Sequence, residues 1–137
     1  MNVKQVFVFG NPDIAMDALP IRLLPRLRKK LPDITFTALD PNEEWDLPDP
    51  FIAIDTVVGL TDIKVFHSLN EFCASPTVSL HDFDAIFCLR YLAKLGKLKG
   101  VRVIGIPPDM TAEKASAGVI SVISGLFPRE DKVEQEQ

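Results

Sequence analysis

Two aspartates and one histidine are the residues of this chain best suited to chemistry: Asp17, Asp55 and His81. Each is expected just past the carboxyl end of an apolar run that reads as a strand, or at the mouth of the loop that follows one. In an open α/β sheet, ligands bind in the crevice at the carboxyl ends of parallel strands. Two carboxylates and an imidazole gathered there form a three-ligand set for a borderline divalent metal, with coordination positions left open. Such a metal could polarise a peptide carbonyl or position a water against it.

Each of these residues also has an ordinary structural interpretation. Asp17 would serve as the N-cap of the following helix, and His81 as a loop residue or a cap. Asp55 is harder to explain in this way, because a carboxylate at the end of a buried strand costs free energy unless it is paired. His67, on a short polar strand, is expected to face solvent. The common location expected for the three residues, rather than any one of them, favours a site.

The elements that must position these residues follow from the apolar pattern. Strands and helices alternate along the chain, which is typical of an α/β fold: a three-layer α/β/α sandwich with a mostly parallel, five-stranded sheet. The fourth strand is short and polar, so we expect it at an edge, where it can run antiparallel. The predicted strands cover 3–10, 34–39, 51–58, 63–66 and 101–106, and the predicted helices cover about 17–30, 82–95 and 111–126.

Length and composition limit the class of protein. A chain of 137 residues, 47% hydrophobic and 25% charged, is typical of one soluble globular domain, predicted for 1–127, with a disordered charged tail at 128–137. The net charge of −4 argues against nucleic acid or an anionic membrane as a partner. A strand begins within about three residues of Met1, and no apolar stretch approaches the roughly 20 residues of a membrane span. Cys73 and Cys88 read as buried thiols in a reducing cytoplasm.

Several common catalytic motifs are missing. Gly10-Asn11-Pro12 follows the first strand, but it lacks the later glycines of a dinucleotide fingerprint, and Pro12 removes an N–H donor. There is no phosphate-binding Walker loop. No serine lies in a nucleophile-elbow pattern, and Cys73 has no obvious activating base.

Four segments of the chain carry a resemblance to a known family. The first is a strand, Gly-Asn, a short gap and an acidic residue that opens a helix (FVFGNPDIAMD, 7–17). The second is an apolar strand that ends in aspartate (IAIDT, 52–56), and the third is Ser-x-His before a helix (SLHD, 79–82). The last strand closes in GIPPD at 105–109. Over residues 6 to about 122 the chain resembles the hydrogenase maturation endopeptidases, which trim the C-terminal extension of the large subunit of nickel–iron hydrogenase.

The resemblance implies a function for individual residues. Asp17, Asp55 and His81 match the family's metal-binding and catalytic positions, and Asn11 and Asp40 match positions that handle the substrate. It implies that the metal is nickel carried by the substrate, with other divalent metals able to substitute. The implied partner is the hydrogenase large-subunit precursor, and we expect a cytoplasmic monomer.

The chain departs from the family pattern at several places, and two of these departures bear on its function. Met16 stands where the family usually has a second acidic residue, and Pro41-Asn42 replaces the glycines after Asp40. These departures leave two alternatives to an active endopeptidase. One is a non-catalytic relative that binds or senses a metal-loaded partner without cleaving it. The other is a small-ligand α/β domain that uses the same crevice, with Asp55 binding a hydroxyl group.

Overall fold

The structure is a computed structural model that describes residues 4–10, 13, 18–39, 50–57, 59–68 and 100–127. The helix predicted at 82–95 and the tail at 128–137 lie outside these residues. All five predicted strands and the other two predicted helices are confirmed, with ends that differ by no more than two residues. The elements are β1 (Lys4–Phe9), α1 (Leu19–Lys30), β2 (Ile34–Leu39), β3 (Phe51–Thr56), β4 (Lys64–Phe66), β5 (Val101–Ile106) and α2 (Ala112–Leu126).

The five strands form one sheet in the order β2-β1-β3-β5-β4. The first four strands in this order pair in parallel, whereas β4 pairs antiparallel with β5. The mostly parallel α/β fold and the antiparallel edge strand are therefore both confirmed. The short strand β4 has its only described partner on one side, which is the edge position that its polar sequence predicts.

Burial of the strands follows their position in the sheet. Every residue of β3 is buried, as are the last four residues of β1 and of β5. Because both faces of these central strands are covered, their sequences read as nearly continuous apolar runs. The terminal strand β2 alternates instead, with Ile34 and Phe36 buried and Thr35 and Thr37 exposed.

The main hydrophobic core lies between one face of the sheet and the helices α1 and α2. Alternate residues of the strands point to this face, and the buried stripes of the two helices pack against them. Its buried members are Val6, Val8, Leu19, Leu23, Leu24, Leu27, Ile34, Phe36, Ile52, Ile54, Ile104, Ile106, Ala115, Val119 and Ile123. Neither described helix is long and apolar enough to cross a membrane.

The other face of the sheet carries a second set of buried apolar residues. The rings of Phe7 and Phe51 stack with their centroids 5.0 Å apart, and Phe9 lies 6.4 Å from Phe51 in a tilted arrangement. Such offset aromatic pairs contribute about 0.5–1.5 kcal/mol beyond the burial of their surface. Ala53 and Val103 are buried on the same face. Asp55 comes two residues after Ala53 in β3, so its side chain lies on this face as well.

The helix α1 starts two residues later than the sequence predicts. Its N-cap is Ala18 and not Asp17. The methyl side chain of Ala18 cannot accept a hydrogen bond, so no side chain caps this end of the helix. Pro20 lies in the first turn, where a missing N–H does no harm. Pro25 lies in the interior of the helix, which continues through it to Lys30.

The helix α2 has a regular N-terminus and an unusually close neighbour. Thr111 is extended and its hydroxyl oxygen accepts a hydrogen bond from the N–H of Lys114 at 3.2 Å, a cap that contributes about 1 kcal/mol. A methyl group at Gly118 would overlap the Cδ1 atom of Ile63, which precedes β4. Gly118 therefore lets the segment before β4 lie directly against the helix.

Two glycines of α2 test this close contact. Gly125 has open space around its Cα, so Gly125→Ala should raise the free energy of unfolding by about 0.5–1 kcal/mol through better helix propensity. Gly118→Ala gains the same propensity but must displace Ile63, so we expect no net gain or a loss. Urea denaturation of both variants measures the difference. An equal gain in both would show that Gly118 does not make the contact.

Candidate functional site

The described residues contain one of the five predicted site residues, Asp55. The other four, Asn11, Asp17, Asp40 and His81, lie outside them, so the proposed ligand set stays a prediction. Within the ranges that the structure describes, no group of three His, Cys, Asp or Glu side chains is placed to hold a metal ion. His67 is exposed, as predicted.

Asp55 is the one charged side chain that is buried among the described residues. It is the penultimate residue of β3, it is only 3% exposed, and it pairs in register with Gly105 of β5. It lies on the face of the sheet opposite the core formed with α1 and α2. A buried carboxylate is costly unless it is hydrogen-bonded, so its position needs a physical explanation.

The pairing of β1 with β3 stops next to Asp55. Their parallel pairing ends at Val8 and Ile54. By contrast, β1 stays paired with β2 up to Phe9 and Leu39, and β3 stays paired with β5 up to Thr56 and Ile106. The β1–β3 ladder therefore stops one residue before Asp55 while both strands stay paired on their other sides, and we call this end of the ladder the gap.

This gap lies at the point where the order of the sheet reverses. From β1 the chain continues to β2 on one side, and β3 then lies on the other side of β1. The crossover connections leave in opposite directions at such a switch point, so a crevice forms there between the strand ends. Because Asp55 is at this end of β3, it is positioned where open α/β sheets bind their ligands.

The backbone next to the gap explains how Asp55 is accommodated. The N–H groups of Phe51 and Val57 donate to Gly100 and Ile106 on the β5 side. Because N–H groups alternate in direction along a strand, the N–H of Thr56 points to the β1 side, beyond the last β1–β3 pair. It donates instead to the Oδ1 atom of Asp55, at 2.9 Å.

This hydrogen bond fixes one carboxylate oxygen. Hydrogen bonds to charged groups contribute about 1.5–3 kcal/mol, which offsets part of the cost of burying Asp55. The end of the β1–β3 ladder thus frees the N–H group that stabilises the carboxylate. The end of the ladder and the buried charge are two parts of one local arrangement.

Gly105 lets the chain after β3 pack closely beside Asp55. A Cβ atom at Gly105 would lie 2.9 Å from Val57 Cγ2, 3.0 Å from Phe66 Cε2 and 3.1 Å from Leu60 Cδ1. The turn between Val57 and Leu60 contains Gly59, whose φ of 98° is the only positive φ angle in the described part of the chain. The turn that leaves β3 is therefore held against β5 at the level of Asp55.

Comparison with known proteins identifies the fold. No family model matches the sequence, and no curated protein matches it. The hydrogenase maturating endopeptidase HybD from E. coli is 16% identical, with a TM-score of 0.58 over 93% of this chain and 99% of that chain. An endopeptidase from Escherichia coli, solved in solution, is 16% identical, with a TM-score of 0.60 over 88% of this chain and 93% of that chain.

A third similar structure is an uncharacterized protein from Wolinella succinogenes. It is 14% identical, with a TM-score of 0.59 over 92% of this chain and 100% of that chain. At these identities the similarity is one of fold, and it extends over nearly the whole length of each chain. The protein thus has the fold of a hydrogenase maturating endopeptidase, as the resemblance of its sequence motifs implies.

Proposed function

We propose that this protein is a divergent hydrogenase maturation endopeptidase, which removes the C-terminal extension of a nickel-loaded hydrogenase large-subunit precursor. The observation that carries the proposal is the buried Asp55 at the open end of β3, in a fold shared with HybD. A charged side chain held at the switch point of a parallel sheet is expected at a ligand site and is costly elsewhere. The sequence motifs that contain Asp17 and His81 supply the remaining two ligands of the proposal.

In this proposal the nickel arrives as part of the precursor. Carboxylate and imidazole groups suit a borderline divalent ion, and without a thiolate they do not hold it permanently. Asp17, Asp55 and His81 would recognise the loaded metal and bring the adjacent peptide bond into the crevice. The hydrogen bond from Thr56 fixes the Oδ1 atom of Asp55, so one of the three ligands is oriented before the precursor binds.

The proposed substrate contacts follow the strand ends in the sequence. Asn11 comes after Gly10 at the end of β1, and Asp40 comes after Leu39 at the end of β2. Phe9 and Leu39 pair in register, so β1 and β2 end at the same level of the sheet. An extended precursor segment laid across these ends would meet Asn11 and Asp40 beside the crevice. We place the reaction in the cytoplasm and expect a monomeric enzyme.

A second function is favoured by the departures from the family pattern. Met16 removes an acidic neighbour of Asp17, and Pro41-Asn42 replaces the glycines after Asp40. Proline restricts the backbone where glycine would leave it free. A relative altered in this way could bind a nickel-loaded partner without cleaving it.

Cleavage of a defined precursor separates these functions. We expect the protein to release the C-terminal extension from a nickel-loaded hydrogenase large subunit and to leave the nickel-free precursor intact, as measured by mass spectrometry. Binding of the loaded precursor without cleavage would assign the sensor function instead. Equal cleavage of both precursors would contradict recognition of nickel and indicate an ordinary peptidase.

Replacing Asp55 by asparagine tests its charge without changing its shape. Asp55→Asn keeps an oxygen that can accept the hydrogen bond from Thr56, but it loses the charge that attracts a divalent metal. We expect cleavage to fall by at least about 100-fold. The free energy of unfolding should stay the same or rise, because a neutral amide is less costly to bury than a carboxylate. Cleavage assays and urea denaturation measure the two effects.

Asp62 supplies a matched control for this substitution. Its Oδ1 atom also accepts a hydrogen bond from the following N–H, that of Ile63, at 2.8 Å, but the residue is exposed. Asp62→Asn should change neither cleavage nor stability by a measurable amount. A loss of several kcal/mol in Asp55→Asn would show that Asp55 is structural, and full activity of that variant would remove it from the site.

The two histidines of the chain allow a test of the third ligand. Nickel binding to the purified protein should weaken by up to about tenfold per pH unit below the titration of an imidazole, because only the neutral ring binds metal. His81→Gln should weaken binding and remove this contribution, whereas His67→Gln should behave as the unmodified protein. Calorimetric titration at several pH values measures this. An effect of His67→Gln in place of His81→Gln would exclude His81 as a ligand.

A further inference from the structure

The exposed side of α1 is strongly cationic, and Pro25 is its one uncharged exposed residue. Arg22, Arg26, Lys29 and Lys30 are all exposed, and their spacing of four, seven and eight residues from the first places them along one side of the helix. We call these four residues the basic face. None of them takes part in an ion pair with a residue that the structure describes.

The negative net charge of the whole chain gives no indication of the basic face. The helix α1 holds five of the fifteen Lys and Arg residues and none of the nineteen Asp and Glu residues. The rest of the chain therefore has ten basic and nineteen acidic residues, a formal charge of −9. The helix α1 is therefore positively charged in a chain whose remainder has a net negative charge.

The helix dipole explains only part of the basic face. Cations in the last turn, such as Lys29 and Lys30, interact favourably with the negative end of the dipole. Arg22 is the fourth residue of the helix and Arg26 the eighth, so neither lies in the last turn. Arg22, near the positive end, gains nothing from the dipole. The helix dipole therefore does not account for Arg22 and Arg26.

Among the residues that the structure describes, the surface beside the basic face carries little opposing charge. The Nη2 atom of Arg28 donates to the carbonyl oxygen of Phe36 at 2.9 Å, which joins the end of α1 to the terminal strand β2. The exposed residues of β2 are Thr35, Thr37 and Ala38, all uncharged. Asp33, in the turn between the two elements, is the one acidic residue from 18 to 39.

We propose that the basic face is a docking surface for an acidic segment of a partner protein. An anionic membrane fits poorly, because the exposed side of α1 has no large apolar side chain to insert between lipids. A nucleic acid also fits poorly, because its extended phosphate charge would meet the acidic remainder of a chain whose isoelectric point is about 5.1. A compact acidic segment can approach the basic face alone.

Most of the basic face lies away from the crevice next to Asp55, because α1 packs on the opposite face of the sheet and only Arg22 is near the end of α1 that is closest to the carboxyl ends of the strands. As the connection between the parallel strands β1 and β2, α1 runs back along the sheet, so Lys30 lies toward the amino ends of the strands. The four cations extend over about 12 Å of helix at 1.5 Å per residue. Docking at this surface can therefore be changed without altering the crevice, and the inference does not depend on the proposed peptidase activity.

Binding of a short fluorescent polyglutamate peptide tests the inference. We expect the intact protein to bind the peptide at low ionic strength and to release it as salt is added. Arg26→Gln with Lys29→Gln should weaken binding by about fivefold, as expected for the loss of two exposed charge interactions. Arg26→Lys with Lys29→Arg keeps both charges and should bind as the unmodified protein does. Fluorescence anisotropy measures all three affinities.

A control on α2 distinguishes the basic face from net charge. Lys114 is exposed, and Lys114→Glu lowers the net charge by two, as the double glutamine variant does. Lys114→Glu should change the affinity by less than about twofold, because the lost charge lies outside the docking surface. Equal weakening by both variants would overturn the inference. So would absence of binding by the intact protein, or tighter binding of a single-stranded RNA or of phosphatidylserine vesicles at the same charge concentration.

Discussion

A carboxylate buried at the end of a central strand is the constraint around which this structure is arranged. Asp55 can be 3% exposed only because its surroundings provide hydrogen-bond donors, and the N–H of Thr56 is one of them. That donor is available because β1 leaves β3 after Val8 and Ile54. The end of the β1–β3 ladder is therefore the feature that leaves this donor for the carboxylate. A change that extended the ladder would compete for the N–H of Thr56.

The rest of the fold keeps this arrangement rigid. Pairing with β2 holds β1 over its full length, and pairing with β5 holds β3 to its last residue. The core with α1 and α2 occupies one face of the sheet, so most of the described apolar packing is independent of Asp55. On the other face, Gly105 lets Val57 and Leu60 approach closely. The carboxylate is thus held in place by neighbouring backbone, while stability comes mainly from residues elsewhere.

The sequence predicted the elements because local signals and tertiary packing agree in them. Continuous apolar runs marked the buried strands β1, β3 and β5, and the polar character of β4 marked an edge. The predicted start of α1 was wrong by two residues. An acidic residue shortly before a helix resembles an N-cap in the sequence, even where the helix begins further along the chain.

Other features could not be read from the sequence because they depend on the relation between elements. The position at which the β1–β3 ladder ends depends on the register between two strands that are more than forty residues apart in the chain. The close contact of Gly118 with Ile63 depends on how α2 packs against the segment before β4. The net charge of the chain gave no indication of the basic face, because it does not record where on the surface each charge lies. Of the candidate site, the structure tests the position of Asp55, and the convergence of Asp17 and His81 on it stays a prediction.

Crystals of the protein soaked in nickel, with anomalous scattering recorded at the nickel edge, test the central claim most directly. The account predicts one nickel ion in the crevice between the ends of β1 and β3, bound by a carboxylate oxygen of Asp55 and of Asp17 and by an imidazole nitrogen of His81. Each distance should be about 2.0–2.2 Å. A nickel ion bound elsewhere while the crevice stays empty, or a site in the crevice that lacks Asp55, would contradict it.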